Sequence, residues 1–125
     1  VDELIAYFSV SAQRHFSFVS ADAALVLAKP VWILGPNVNV ETDASLLPEF
    51  ADRTNCIVMP NHGVTTMGRD VSEAYHRLTT VTAEVRRILL GLQVAGLTGM
   101  AVNWIPEPEV QQMFRDAGRV VYGEA

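Results

Sequence analysis

The chain has 125 residues, 50% of them hydrophobic and 18% charged, with a formal net charge of −5 and a sequence pI near 5.0. That length has room for one hydrophobic core, so a single domain over residues 1–125 is expected, and so high an apolar fraction excludes a disordered chain. Fourteen acids against nine bases exclude a generic binder of phosphate backbones, which needs a surplus of Lys and Arg, and no nucleic-acid partner is expected.

The chain opens on Val1-Asp2-Glu3-Leu4-Ile5-Ala6-Tyr7-Phe8, already in helical periodicity, with Asp2 placed to favour a helix start. An opening inside an element, with no initiator Met, points to a fragment or to a processed terminus. Asp2 and Glu3 stand where a signal peptide would carry positive charge, and no apolar run approaches the roughly 20 residues of a membrane span. A soluble, reducing, cytoplasmic setting without membrane contact is the expectation. Residues 16–20 alternate apolar and polar, the pattern of a short strand. Residues 21–28 are rich in Ala and Leu and predict a helix that stops before Pro30. Val31-Trp32-Ile33-Leu34 predicts a buried strand ended by Gly35-Pro36-Asn37, and the alternation of Val38 and Val40 with Asn39 and Glu41 predicts a second. Residues 46–50, extending as far as Arg53, predict a short surface helix with Pro48 in its first turn.

Cys56-Ile57-Val58-Met59, closed by Pro60, predicts another buried strand. Its cysteine is the only one in the chain, which excludes an intramolecular disulfide framework and a thiolate-built zinc site. Burial in a strand makes Cys56 a small hydrophobe and not a nucleophile. Further on, Asp70 is a good helix N-cap, and Glu73 three residues later completes an Asp variant of the capping box. Val71, Ala74, Tyr75, Leu78, Val81, Val85, Ile88, Leu89 and Leu92 then recur every three or four residues. That spacing predicts an amphipathic helix of about six turns, with Glu73 and Arg77 paired on its outer side. Gly96 and Gly99 break the pattern, residues 102–106 read as extended, and a last helix starts around Pro108-Glu109. Its apolar face is Val110, Met113, Phe114 and Ala117. The tally is a mixed α/β chain.

His62 is the leading candidate for chemistry. It follows a buried strand and precedes a glycine, which lets the backbone turn sharply and present an imidazole at a strand end. Neutral imidazole is the commonest metal ligand and a general base suited to neutral pH. The same Asn61-His62-Gly63 also reads as an ordinary turn. His76 reads as a surface or subunit-contact histidine, Trp32 and Trp104 as packing residues, and Arg86, Arg87, Arg115 and Arg119 as solvated charge.

The stretch Asn61-His62-Gly63-Val64-Thr65-Thr66-Met67-Gly68-Arg69-Asp70-Val71-Ser72-Glu73-Ala74 resembles the class II aldolase/adducin superfamily. The pattern is a strand, then H-G, a glycine five residues on, and E-A opening a long helix. The resemblance extends roughly from Pro30 and is strongest between Cys56 and Leu92. It implies an α/β fold with a central, mainly antiparallel sheet flanked by helices, of which this chain looks like the C-terminal portion, truncated or degenerate at its N-terminal side. It also implies a ring-shaped homotetramer with a small-molecule substrate bound at subunit interfaces.

In that family the histidine of the H-G motif is one of three holding a divalent metal, usually zinc. His62 takes that place here, with Asn61 and Gly63 beside it for substrate binding. The metal polarises a carbonyl or stabilises an enediolate. Tyr122, followed by Gly123 just past the last helix, resembles the C-terminal tyrosine that serves as proton donor in the fuculose-phosphate aldolase branch. The chain departs from the pattern at the other two metal histidines, an H-x-H pair well upstream. Only His15 lies upstream. Either His15 is the second member of the pair and Gln13 replaces the first, or residues 15–20 follow the pair and Val10 and Ala12 stand at both ligand positions. The family's glycine-rich phosphate loop is not visible before Gly35. The function implied is a metal-dependent carbon–carbon lyase, acting by aldol cleavage of a small hydroxy-aldehyde or sugar phosphate or by a related decarboxylation or epimerisation. The alternative is an inactive, adducin-like assembly domain.

Overall fold

Two carboxylates in its first turn, Asp2 and Glu3, favour helix α1 (Asp2–Val10), whose Leu4 and Phe8 are buried one turn apart. The computed structural model describes residues 1–11, 13–35, 48 and 50–122, with the backbone alone for 118–122. After α1 come α2 (Ala21–Leu27), β1 (Trp32–Ile33), β2 (Cys56–Met59), β3 (Gly63–Thr66), α3 (Val71–Thr98) and α4 (Glu107–Tyr122). The three strands form one mixed sheet in the order β1-β2-β3. β1 runs parallel to β2 with Trp32 opposite Ile57, and β2 runs antiparallel to β3 with Cys56 opposite Thr66 and Met59 opposite Gly63. The α/β expectation holds, with one pairing of each sense among the described strands.

β2 is the central strand, and all four of its residues are buried. Alternate side chains of a strand leave on opposite faces, so β2 serves two clusters. Cys56 and Val58 join the main core with Leu4, Phe8, Phe18, Leu27, Val81, Val85, Ile88 and Val110, drawn from all four helices and the segment after α1. Ile57 and Met59 join a smaller cluster with Phe50, against which Trp32, Leu34 and Met67 pack. Helices therefore cover one face of the sheet, and the Trp32–Phe50 ring pair, 4.6 Å between centroids, covers part of the other.

Several sequence expectations change. Residues 16–20 bury Phe16 and Phe18 as the alternation demands, but they form no strand. Their backbone finds other partners: the Val19 and Ser20 N–H groups donate to the Glu84 carboxylate at 2.9 and 3.0 Å, and the Phe18 carbonyl accepts from Ile105. The long helix runs 28 residues, past Gly96, and stops at Gly99, whose φ of 74° places it in the left-handed region suited to a C-cap. Its inward face is also displaced from the expected one. Val71 and Tyr75 are exposed, while Arg77, Val81, Glu84, Val85 and Ile88 are buried. The Glu73–Arg77 pair expected on the outer side is an inner pair at 2.9 Å. Arg77 is buried because it also donates to the carbonyls of Val26 and Met67, which joins α2, the end of the sheet and α3.

α4 starts at Glu107, one residue before the expected Pro108, and the Pro106 carbonyl accepts from Glu109 and Val110. It runs through Tyr122, so that tyrosine is the helix's last residue and does not lie past it. The second strand at Val38 and Val40 lies outside the described residues, as does most of the helix expected over residues 46–50, where Pro48 and Phe50 are helical. No helix of the described residues is long and apolar enough to cross a membrane.

Candidate functional site

The turn between β2 and β3 is built from three residues. Pro60 fixes its own φ, Asn61 adopts φ 63°, and the His62 N–H donates to the Met59 carbonyl at 3.0 Å. Proline followed by a left-handed Asn, closed by that bond, is the pattern of a type II turn. The sharp bend thus belongs to Asn61 and not to Gly63, which opens β3 without a positive φ and would meet no atom if given a Cβ. Asn is among the few residues that accept the left-handed region at low cost. The Asn61 N–H donates to Ser9 Oγ at 2.7 Å and so ties the turn to the last turn of α1. His62 is exposed on this turn, at the strand end expected for it.

The rest of the motif explains how the turn is held. A Cβ on Gly68 would lie 2.7 Å from the Ala74 backbone N and 2.9 Å from Glu73 Cβ. Only glycine lets the segment after β3 lie this close to the first turn of α3. Asp70 caps that turn, accepting from the Glu73 N–H at 2.8 Å, and Thr66 donates to the Ala74 carbonyl. Burial pushes the Glu73 carboxyl up, but hydrogen bonds and charge from Arg69 and Arg77 outweigh it and hold the group below the usual carboxylate range. Gly68, Glu73 and Ala74 therefore shape the β3–α3 junction.

His15 stands in a different setting. From Gln13 to Phe18 the chain is neither helix nor strand: Gln13, His15, Phe16 and Ser17 all line one cavity, and Phe16 and Phe18 are buried in the core. The His15 Nε2 lies 3.5 Å from Glu107 Oε2 at the start of α4. The cavity has a volume of about 220 Å³, and His62 is not among its lining residues. Gln13 was already set beside His15 at the positions of the histidine pair, whereas Ser17 and Glu107 as neighbours of His15 were missed in the sequence, and nothing local announces Glu107.

A catalytic zinc usually takes three protein ligands. Among the described residues no three His, Cys, Asp or Glu side chains converge to hold a metal ion. Cys56 adds nothing, because burial pushes its thiol up to about 12. The described donor set therefore does not fit the metal that the motif implies. Tyr122 closes α4 at the backbone level.

Comparison with known proteins points one way. The family model of the Class II Aldolase and Adducin N-terminal domain matches residues 6–88, beginning well before the stretch where the sequence resemblance was legible. The crystal structure of YgbL from Klebsiella pneumoniae, itself assigned only provisionally as an aldolase/epimerase/decarboxylase, superposes with a TM-score of 0.68 at 17% identity. The match covers 89% of this chain and 52% of that one, so the chain spans about half the length of its structural neighbour. No curated protein matches at a significant level.

Proposed function

Since the chain belongs to the class II aldolase and adducin family, we propose that it is part of a carbon–carbon lyase, or of a related decarboxylase or epimerase, acting on a small hydroxy-carbonyl compound. The observation that supports this reading is the exposed His62 on a turn fixed from three sides: Pro60 and Asn61 within it, Ser9 of α1 beneath it, and the β2–β3 ladder behind it. A side chain on so constrained a turn meets a ligand without first having to be ordered. In this reading Asn61 and Gly63 contact substrate beside His62, and Tyr122 supplies the proton. The family's metal has no complete site among the described residues, so its remaining ligands would come from elsewhere, and no step is routed through it. A homo-oligomer, a tetramer by resemblance, belongs to the same proposal.

The test is exchange or cleavage at the carbon beside the carbonyl, followed by NMR over a panel of hydroxy-aldehydes, sugar phosphates and hydroxy-acids, with zinc or manganese added. Turnover that disappears in His62→Ala supports the reading. A Tyr122→Phe variant then loses the ~10²–10⁴-fold that a general acid typically supplies. No turnover by the wild type on any member of the panel would favour the second reading, a non-catalytic, adducin-like assembly domain. That reading draws its support from the engagement of His15 with Glu107.

A further inference from the structure

Helix α3 outruns the core that it serves. Its last buried residue is Ile88, and the stretch from Leu89 to Thr98 carries the helix about 15 Å further at the usual rise per residue. The extension stays regular to its end, where Gly99 caps it and its N–H donates to the Ala95 carbonyl at 2.9 Å. Local propensity contributes little to that, because Gly91, Val94, Gly96 and Thr98 are all weak helix formers. Helices in proteins owe their stability mostly to the packing of an apolar face. Such a face exists here, but within the chain it is bare. Leu90, Val94 and Leu97, spaced four and three residues apart on one side of the helix, are 56%, 50% and 89% exposed.

Charge and spacing narrow the occupant. Residues 88–106 contain no Asp, Glu, Lys or Arg, in a chain of net charge −5. Two copies repel each other across acidic surface, but this stripe brings no like charges together. A partner selected by charge finds nothing here to pair with. The stripe is also its own complement: an antiparallel copy crossing at Val94 sets Leu90 of each chain against Leu97 of the other, as a two-fold contact requires. We infer that the extension of α3 is a docking surface for a second copy of this chain, the two stripes packed antiparallel about a two-fold axis at Val94. A ring is closed by head-to-tail contacts, so this contact is additional to any that a ring-shaped tetramer makes. The inference rests on the homo-oligomer of the proposed function and names its contact, and it needs nothing from the lyase chemistry.

Cysteine substitutions in the 125-residue protein test the geometry, because the native Cys56 is buried and leaves an introduced thiol alone at the surface. On oxidation by copper phenanthroline in air, Val94→Cys crosslinks to a covalent dimer. Leu90→Cys and Leu97→Cys each stay uncrosslinked by themselves, since an antiparallel pair sets like residues about 12 and 9 Å apart along the axis, beyond the roughly 7 Å that a disulfide spans. A mixture of those two variants does crosslink. Leu92→Cys, on the opposite side of the helix, does not. In sedimentation, Leu97→Glu shows half the mass of the wild-type species with its circular dichroism spectrum unchanged, because so exposed a side chain has little contact to lose within the chain. A heavy wild-type species that Leu97→Glu leaves intact, with no crosslink in Val94→Cys, would overturn this contact while the homo-oligomer itself stands. Self-crosslinking of Leu90→Cys would overturn the antiparallel arrangement, and a wild-type monomer would overturn contact and oligomer together. None of these outcomes depends on turnover, so the lyase reading stands or falls separately.

Discussion

Asn61, Gly68 and Glu84 each do something that few other side chains at their positions could do. Asn61 sits at φ 63° in the turn that presents His62. Asn61→Gly should be tolerated, whereas Asn61→Val, with a β-branched side chain in the left-handed region, should lose about 1–2 kcal/mol in urea unfolding. Gly68→Ala puts a methyl 2.7 Å from backbone; overpacking of this kind costs about 1–3 kcal/mol, and an unchanged unfolding midpoint would show that the junction yields. Glu84 is fully buried and accepts from the Val19 and Ser20 N–H groups and the Ser20 hydroxyl. Glu84→Ala strands two backbone donors, each worth about 1–3 kcal/mol when left unsatisfied. Glu84→Gln keeps one acceptor oxygen and should lose distinctly less, and the ordering of the two variants in chemical denaturation is the check.

At the level of elements, α3 shows what periodicity reveals and what it hides. Its existence, its Asp70 cap and the apolar positions 81, 85 and 88 were legible, since each depends on local spacing. Its inward face near the N-terminus was not, because the residues buried there include charged ones. Arg77 goes inside to meet carbonyls of α2 and of the segment after β3, and no local pattern encodes a partner such as Val26, 51 residues away. The alternation at residues 16–20 misled for the same reason: its backbone partners are a carboxylate on α3 and an N–H from the segment before α4. Glu73, hydrogen-bonded by Arg69 and paired with Arg77, also carries a pH dependence. The folded pKa of Glu73 is depressed from its usual value near 4.5, so its contribution is present above that value and is lost as pH falls through the lower folded value. Thermal melts should therefore show Glu73→Gln less stable than wild type at pH 7, with the gap closing steadily below pH about 4.5. A gap independent of pH would mean that the carboxylate's charge contributes nothing.

For the whole molecule, the family was legible from fourteen residues around His62, although most of that motif turns out to shape a junction. The part of the family match before Pro30 was not legible, because the H-x-H pair that would have marked it is absent. Leu90, Val94 and Leu97 recur on one stripe of α3 and are exposed, Leu97 to 89%. The proposed homo-oligomer would cover apolar surface of this kind. Sedimentation should show a species heavier than the 13.7 kDa chain, and a stable monomer at micromolar concentration would contradict it. The central claim is that the chain keeps the family fold and its His62 turn, while its described residues do not complete the family's metal site. Zinc titration of the purified 125-residue protein, followed by metal analysis after chelator treatment, tests it most directly. The account predicts weak binding with no metal retained in stoichiometric amount, and one chelator-resistant zinc per chain would contradict it.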